Sequence, residues 1–183
     1  GVTSSAAQFQ ATREQTIDQL QNRTATIQFK EVRLSGSRLT ADVIVESQTG
    51  HKFPTGFPAR RAWIHFTVQD ASGAIVFESG GFNPDGSING NDSDVDPTRF
   101  EDHYLSIVQP DQVQIYEAIP ADPRGHPTTV LLRASGYVKD NRLLPAGFEK
   151  RAPIVEIQVR GRAAEDEDFD GGGDAIQYSV DLG

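Results

Sequence analysis

The 183 residues include no cysteine and no methionine. Without cysteine there is no disulfide framework, no thiolate metal site, no cysteine nucleophile and no covalent haem attachment through Cys-x-x-Cys-His. No apolar run approaches the ~18 residues of a membrane-spanning helix, so membrane insertion is not expected. Basic residues are scarce too: 17 Lys and Arg face 26 Asp and Glu, a net charge of −9. Sequence-independent nucleic-acid binding relies on clustered cations that displace counterions from phosphates, so a nucleic-acid partner is not expected either. The same balance leaves no polybasic membrane anchor. The chain begins at Gly1 rather than Met, as a mature secreted product or a piece of a longer chain would.

What is present is concentrated acid. Residues 81–102 carry Asp85, Asp92, Asp94, Asp96, Glu101 and Asp102 against Arg99, and residues 163–174 carry Glu165, Asp166, Glu167, Asp168, Asp170 and Asp174 against no base. These stretches hold a net −11, which leaves +2 for everything else. Like charges so close repel unless water solvates them or a cation neutralises them.

The periodicity divides the chain into a helix, 1–23, and a strand-rich domain, 24–183. Residues 4–21 contain no Gly or Pro, open on Ser4 and Ser5 as candidate N-caps, and place Phe9, Ile17 and Leu20 on one thin stripe. So thin a stripe needs another surface to lean on. From residue 24 the pattern alternates, with hairpins expected at 26–34 with 39–46 and at 62–68 with 74–78. Further strands are expected at 113–119, 128–137, 154–160 and 176–182. About eight strands without intervening helices predict an all-β, antiparallel immunoglobulin-like β-sandwich with an N-terminal helix and long acidic loops.

Asp166-Glu167-Asp168-Phe169-Asp170-Gly171-Gly172-Gly173-Asp174 has the alternating carboxylates and turn glycine of a calcium loop, which predicts Asp166, Asp168, Asp170 and Asp174 as ligands. Its twelfth position is Gln177, not the Glu of an EF-hand, and a solvated flexible loop is the alternative. Asn91-Asp92-Ser93-Asp94-Val95-Asp96-Pro97 repeats the spacing and adds Asp92, Asp94 and Asp96. Oxygen-rich sites of this kind favour calcium over zinc or copper. Asn91-Asp92-Ser93 and Asn22-Arg23-Thr24 also read as glycosylation sequons. None of the four histidines shows zinc or non-haem iron spacing, and no serine sits in a nucleophile motif. Enzymatic activity is therefore not expected. The Gly/Pro-punctuated loop 49–58, followed by Arg60 and Arg61, either fixes a turn or presents His51, Lys52, Arg60 and Arg61 to a partner.

Several motifs in one order resemble the C-terminal, haem-free β-sandwich domain of secreted multihaem c-type cytochromes. They are Thr49-Gly50-His51-Lys52-Phe53-Pro54-Thr55-Gly56, Arg60-Arg61-Ala62-Trp63, and Asn91 to Pro97 with Phe100-Glu101-Asp102-His103-Tyr104. The stretches from Asp111 to Glu117, from Tyr137 to Pro145 and from Asp168 to Asp174 complete the set. The resemblance implies a non-catalytic, calcium-stabilised structural and interaction module of an extracytoplasmic electron-transfer assembly or filament, without covalent haem of its own. The implied partners are a multihaem cytochrome domain or neighbouring subunits, including a homopolymer. His51 is then a candidate ligand to a partner's haem, and Lys52, Arg60, Arg61 and His103 are candidate contacts. The alternative is a calcium-dependent carbohydrate- or surface-binding module, with Trp63, Phe57 and Tyr104 as its aromatic platform.

Overall fold

A computed structural model describes residues 4–183. Helix α1 runs Ala6–Asn22, and Ser5 closes a capping box: its hydroxyl accepts from the Gln8 amide while the Gln8 side chain accepts from the Ser5 amide. None of its residues is buried. A 17-residue helix without packing has only its cap and its i, i+4 pairs, such as Gln10 with Glu14 and Asn22 with Asp18, to hold it.

The strands form one four-stranded sheet and three two-stranded ribbons. The sheet orders β1 (Ala25–Ser35), β2 (Arg38–Ser47), β10 (Gly173–Asp181) and the short β6 (Ser106–Ile107) as β1-β2-β10-β6. Its long pairs are antiparallel, whereas β6 lies parallel to β10. Alternation sends Ala41, Val43 and Val45 of β2 and Ile176, Tyr178 and Val180 of β10 into the core. The ribbons pair β3 (Ala62–Trp63) with β7 (Ile115–Tyr116), β4 (Phe66–Gln69) with β5 (Ile75–Ser79), and β8 (Ala118–Ala121) with β9 (Gly136–Asp140). Phe66 stacks on Tyr178 with ring centroids 3.9 Å apart and so joins the β4 ribbon to the sheet. The chain is thus strand-rich and mainly antiparallel, with an N-terminal helix.

Four expectations change. The strand expected over 113–119 divides at Glu117 into β7 and β8, which pair with β3 and β9. The strand expected over 62–68 divides at Ile64–His65 into β3 and β4, which pair with different partners. The Trp63 indole donates to Gly80 O across this break, at 2.9 Å. Residues 128–137 and 154–160 are not strands along their length. Each contains a 3₁₀ turn, Leu131–Arg133 and Val155–Ile157, because no neighbouring strand offers the backbone partners that an apolar run needs to extend. The aliphatic side chains of these two turns stay exposed, Leu132 completely so, while Val159 beyond the second is buried.

Candidate functional site

Chemistry-bearing side chains meet in the centre of the molecule, where Asp166 and Asp174 from the second acidic stretch join His103. Asp174 opens β10 on the core face of the sheet. Tyr116 lies in β7, with Gln114 two residues before it on the same side. Lys139 lies in β9 and Asn141 follows that strand. His103 precedes β6, and Asp166 follows the 3₁₀ turn Arg162–Ala164. All of these side chains are buried.

The histidine at the middle has its tautomer set by its neighbours. His103 Nδ1 lies 2.8 Å from Gln114 Nε2 and 3.2 Å from Asn141 Nδ2. Both amide orientations are anchored from behind: Gln114 Oε1 accepts from the Tyr104 amide at 2.8 Å, Asn141 Oδ1 accepts from the Glu117 amide at 3.0 Å, and Asn141 Nδ2 also donates to Ile115 O. Turning either amide over would set donor against donor. Nδ1 is therefore an acceptor, and the ring hydrogen sits on Nε2, which donates to Asp166 Oδ2 at 2.9 Å. Phe169 closes the ring edge-on, with centroids 5.1 Å apart. Burial holds the His103 pKa below its ordinary value despite the Asp166 carboxylate, so the imidazole is neutral.

Asp174 completes the cluster. Its Oδ2 accepts from the Tyr116 hydroxyl at 2.7 Å and from Gln114 Nε2 at 2.9 Å. Its Oδ1, 3.8 Å from His103 Nε2, is buried without a hydrogen-bond partner. Burial pushes the Asp174 pKa up to about 7, the hydrogen bonds from Tyr116 and Gln114 opposing and the charges of Asp166 and Asp168 reinforcing the shift. Around this centre Lys139 Nζ donates to Glu101 O, Ile115 O and Glu117 Oε1 at 2.7–3.0 Å, which uses all three of its hydrogens. The Glu101 carboxyl, also raised by burial, accepts from the Tyr104 hydroxyl.

His103, Asp166 and Asp174 offer three ligand atoms within 4.8 Å of one another, the geometry of a metal site. The hydrogen-bond pattern does not fit a metal. A ligating neutral imidazole binds through its bare nitrogen and donates its other N–H to an acceptor, whereas here the nitrogen facing the carboxylates carries the hydrogen and the far one faces two donors. Calcium suits the set least, since it takes six to eight oxygens. Burial without an ion favours the protonated, neutral form of Asp174.

The expected calcium ligands are otherwise dispersed. Asp92 pairs with Arg99. Asp94 binds Arg61 at 2.7 Å and accepts from the Ile88 amide. Asp96 caps the turn at Thr98. Asp168 accepts from the Ala175 amide, and Asp170 from the amides of Lys150 and Gly171. Among the described residues no group of three from the first acidic loop converges on one point. These carboxylates are turn and cap acceptors already engaged by the chain. Asn91 is buried, so a glycan there is incompatible with this fold.

The expected contact residues separate in the same way. His103 is wholly buried and meets no other chain while the fold is intact. Lys52 binds Asp140 at 2.8 Å beneath Arg142, and Arg61 ties Asp94 and Gly86 O to the body. His51 and Arg60 remain on the surface. His51 Nδ1 faces Lys52 O at 3.0 Å, which places the hydrogen on Nδ1 and leaves Nε2 a bare lone pair. The aromatic platform is not assembled: Trp63 is committed to Gly80 O and Tyr104 to Glu101, leaving Phe57 exposed alone.

No family model, curated protein or solved structure matches this chain. The network of Glu101, Gln114, Tyr116, Glu117, Lys139 and Asn141 escaped the sequence reading. Its one local signal is the alternation Val113-Gln114-Ile115-Tyr116-Glu117, where polar residues occupy the face that a half-buried strand would turn to water.

Proposed function

We propose that this chain is a non-catalytic structural and interaction module of an extracytoplasmic multihaem c-type cytochrome assembly. One observation carries the interaction reading: the apolar face of the main sheet continues past its cover. On β1, Ile27, Phe29, Val32 and Leu34 pair with Val45, Val43, Ala41 and Leu39 and share their core-side face, yet each is 55–65% exposed. Helix α1, joined directly to β1, has no buried residue and exposes Phe9 and Leu20. Contiguous apolar surface of this kind belongs to an interface. The non-catalytic part rests on sealing, since His103, Asp166 and Asp174 are the residues best placed for chemistry and their side chains are at most 4% exposed.

The partner class comes from the motifs around Thr49–Gly56 and 91–104, and a cytochrome is the partner for which His51 is suited. An imidazole with Nδ1–H held by a carbonyl and Nε2 bare is prepared for haem iron. An immunoglobulin-like sandwich, in which the ribbons act as the second layer over the β1-β2-β10-β6 sheet, is the architecture that goes with this reading. The test is titration of the chain with purified multihaem c-type cytochrome, followed by biolayer interferometry and by the Soret band. Saturable micromolar binding supports the module, and a Soret change lost in His51→Ala supports ligation. Absence of binding overturns the cytochrome assignment.

A further inference from the structure

Resting on that reading of β1 as an interface, we infer that its occupant is a second copy of this chain, with α1 of each copy lying across the β1 face of the other. The chain carries both halves of the contact. The sheet face Ile27, Phe29, Val32 and Leu34 is apolar and more than half exposed, with Phe29 meeting Phe66 edge-on, and the α1 stripe of Phe9, Ile17 and Leu20 is apolar and has no buried residue. The helix does not serve its own strand, because the junction holds it away. Thr24 is buried there, its hydroxyl donates to Gln19 O at 2.7 Å, the Arg23 amide donates to Gln19 O, and Thr24 O accepts from the Gln48 amide at 2.9 Å. These bonds fix the direction in which α1 leaves β1, so the helix reaches such a face only on another copy.

The area agrees with a reciprocal contact. Covering these seven apolar side chains on both copies removes on the order of 1,400 Å² from water, within the size of a standard stable interface. Simple strand addition at the β1 edge is disfavoured, because the register shift between Phe29 and Glu31 leaves Lys30 as a bulge there. A helix laid on the face needs no backbone pairing and is unaffected by the bulge.

The experiment is sedimentation equilibrium on the full chain, with Phe29→Lys, Leu20→Lys and the control Leu132→Lys. Leu20 is exposed in the single copy and its change leaves the fold intact, whereas Phe29 also meets Phe66 edge-on, so a denaturant melt of Phe29→Lys accompanies its sedimentation. The expected result is a dimer, of twice 20.0 kDa, whose self-association weakens at least about tenfold in each of the first two variants and not in the control. Because the chain has no cysteine, mixing a Leu20→Cys population with a Phe29→Cys population adds a second readout: oxidation yields a mixed disulfide dimer by mass. A monomer that still binds cytochrome overturns the second-copy inference and leaves the cytochrome module standing. A dimer unaffected by Phe29→Lys and Leu20→Lys overturns it as well, and a monomer that binds no cytochrome removes both.

Discussion

Asp174 makes the fold depend on a proton. Its pKa is raised from 3.8 to about 7, so its contribution to stability is complete below pH 4, is lost progressively as pH rises towards 7, and is constant above. The difference corresponds to about 4 kcal/mol. His103 acts with the opposite sign: its lowered pKa contributes stability above pH 6.5 that is lost as pH falls. Replacing Asp174 by Asn removes the titration, the amide oxygen keeping the bonds from Tyr116 and Gln114 and the amide nitrogen taking the unpartnered Oδ1 position at a cost that does not vary with pH. Urea titrations are expected to show the stability of Asp174→Asn relative to the parent rising by about 2–3 kcal/mol from pH 5 to pH 8. An equal difference at both pH values would refute the assignment of the proton to Asp174. Lys139 gives the complementary case. Lys139→Met leaves the Glu117 carboxylate and Glu101 O without their Lys139 donor, Ile115 O keeping Asn141, and is expected to cost about 3–5 kcal/mol, much of it recovered in Lys139→Met with Glu117→Gln. Denaturant melts of the single and double variants, read as a cycle, check this.

At the scale of elements, the division between β3 and β4 depends on one glycine. Gly80 has φ +75, and a Cβ there would collide with Ile64 O at the point where the chain passes from one ribbon to the other. Gly80→Ala is expected to destabilise by about 3 kcal/mol or more, whereas Gly36→Ala, with a similar φ of +61 and open space around it, costs about 1 kcal/mol from its backbone alone. Thermal melts of the pair separate collision from backbone preference. The elements most legible in the sequence were those whose determinants are local. Ser5 and the Gly-free, Pro-free run after it mark α1, Gly36 marks the β1–β2 turn, and strict alternation marks β2 and β10. The segments at 128–137 and 154–160 were misread because an apolar run shows readiness to extend but not whether a neighbouring strand exists to receive its backbone.

At the scale of the whole molecule, the acidic loops act as connectors. Asp85 accepts from the amide and hydroxyl of Ser87, and Asp96 from the hydroxyl and amide of Thr98, and these hydrogen bonds hold both pKa values below the ordinary range. With the loop carboxylates so engaged, the melting temperature is expected to be the same in EDTA as in excess calcium. A calorimetric rise of several degrees with calcium would show instead that the loops rearrange around an ion.

The sequence by itself determined where α1 and the long strands lie, that −11 of the charge sits in two loops, and that covalent haem and disulfides are excluded. Each of these depends on residue identity or on neighbours within a few positions. Only the tertiary structure decided which acids matter together. His103, Asp166 and Asp174 are separated by up to 71 positions and meet because β10 pairs with β2 on one side and β6 on the other. Nor does the alternation of β1 reveal that its apolar face is uncovered. Period two marks the face that seeks cover, while the cover itself comes from distant parts of the chain, which here stop short of β1.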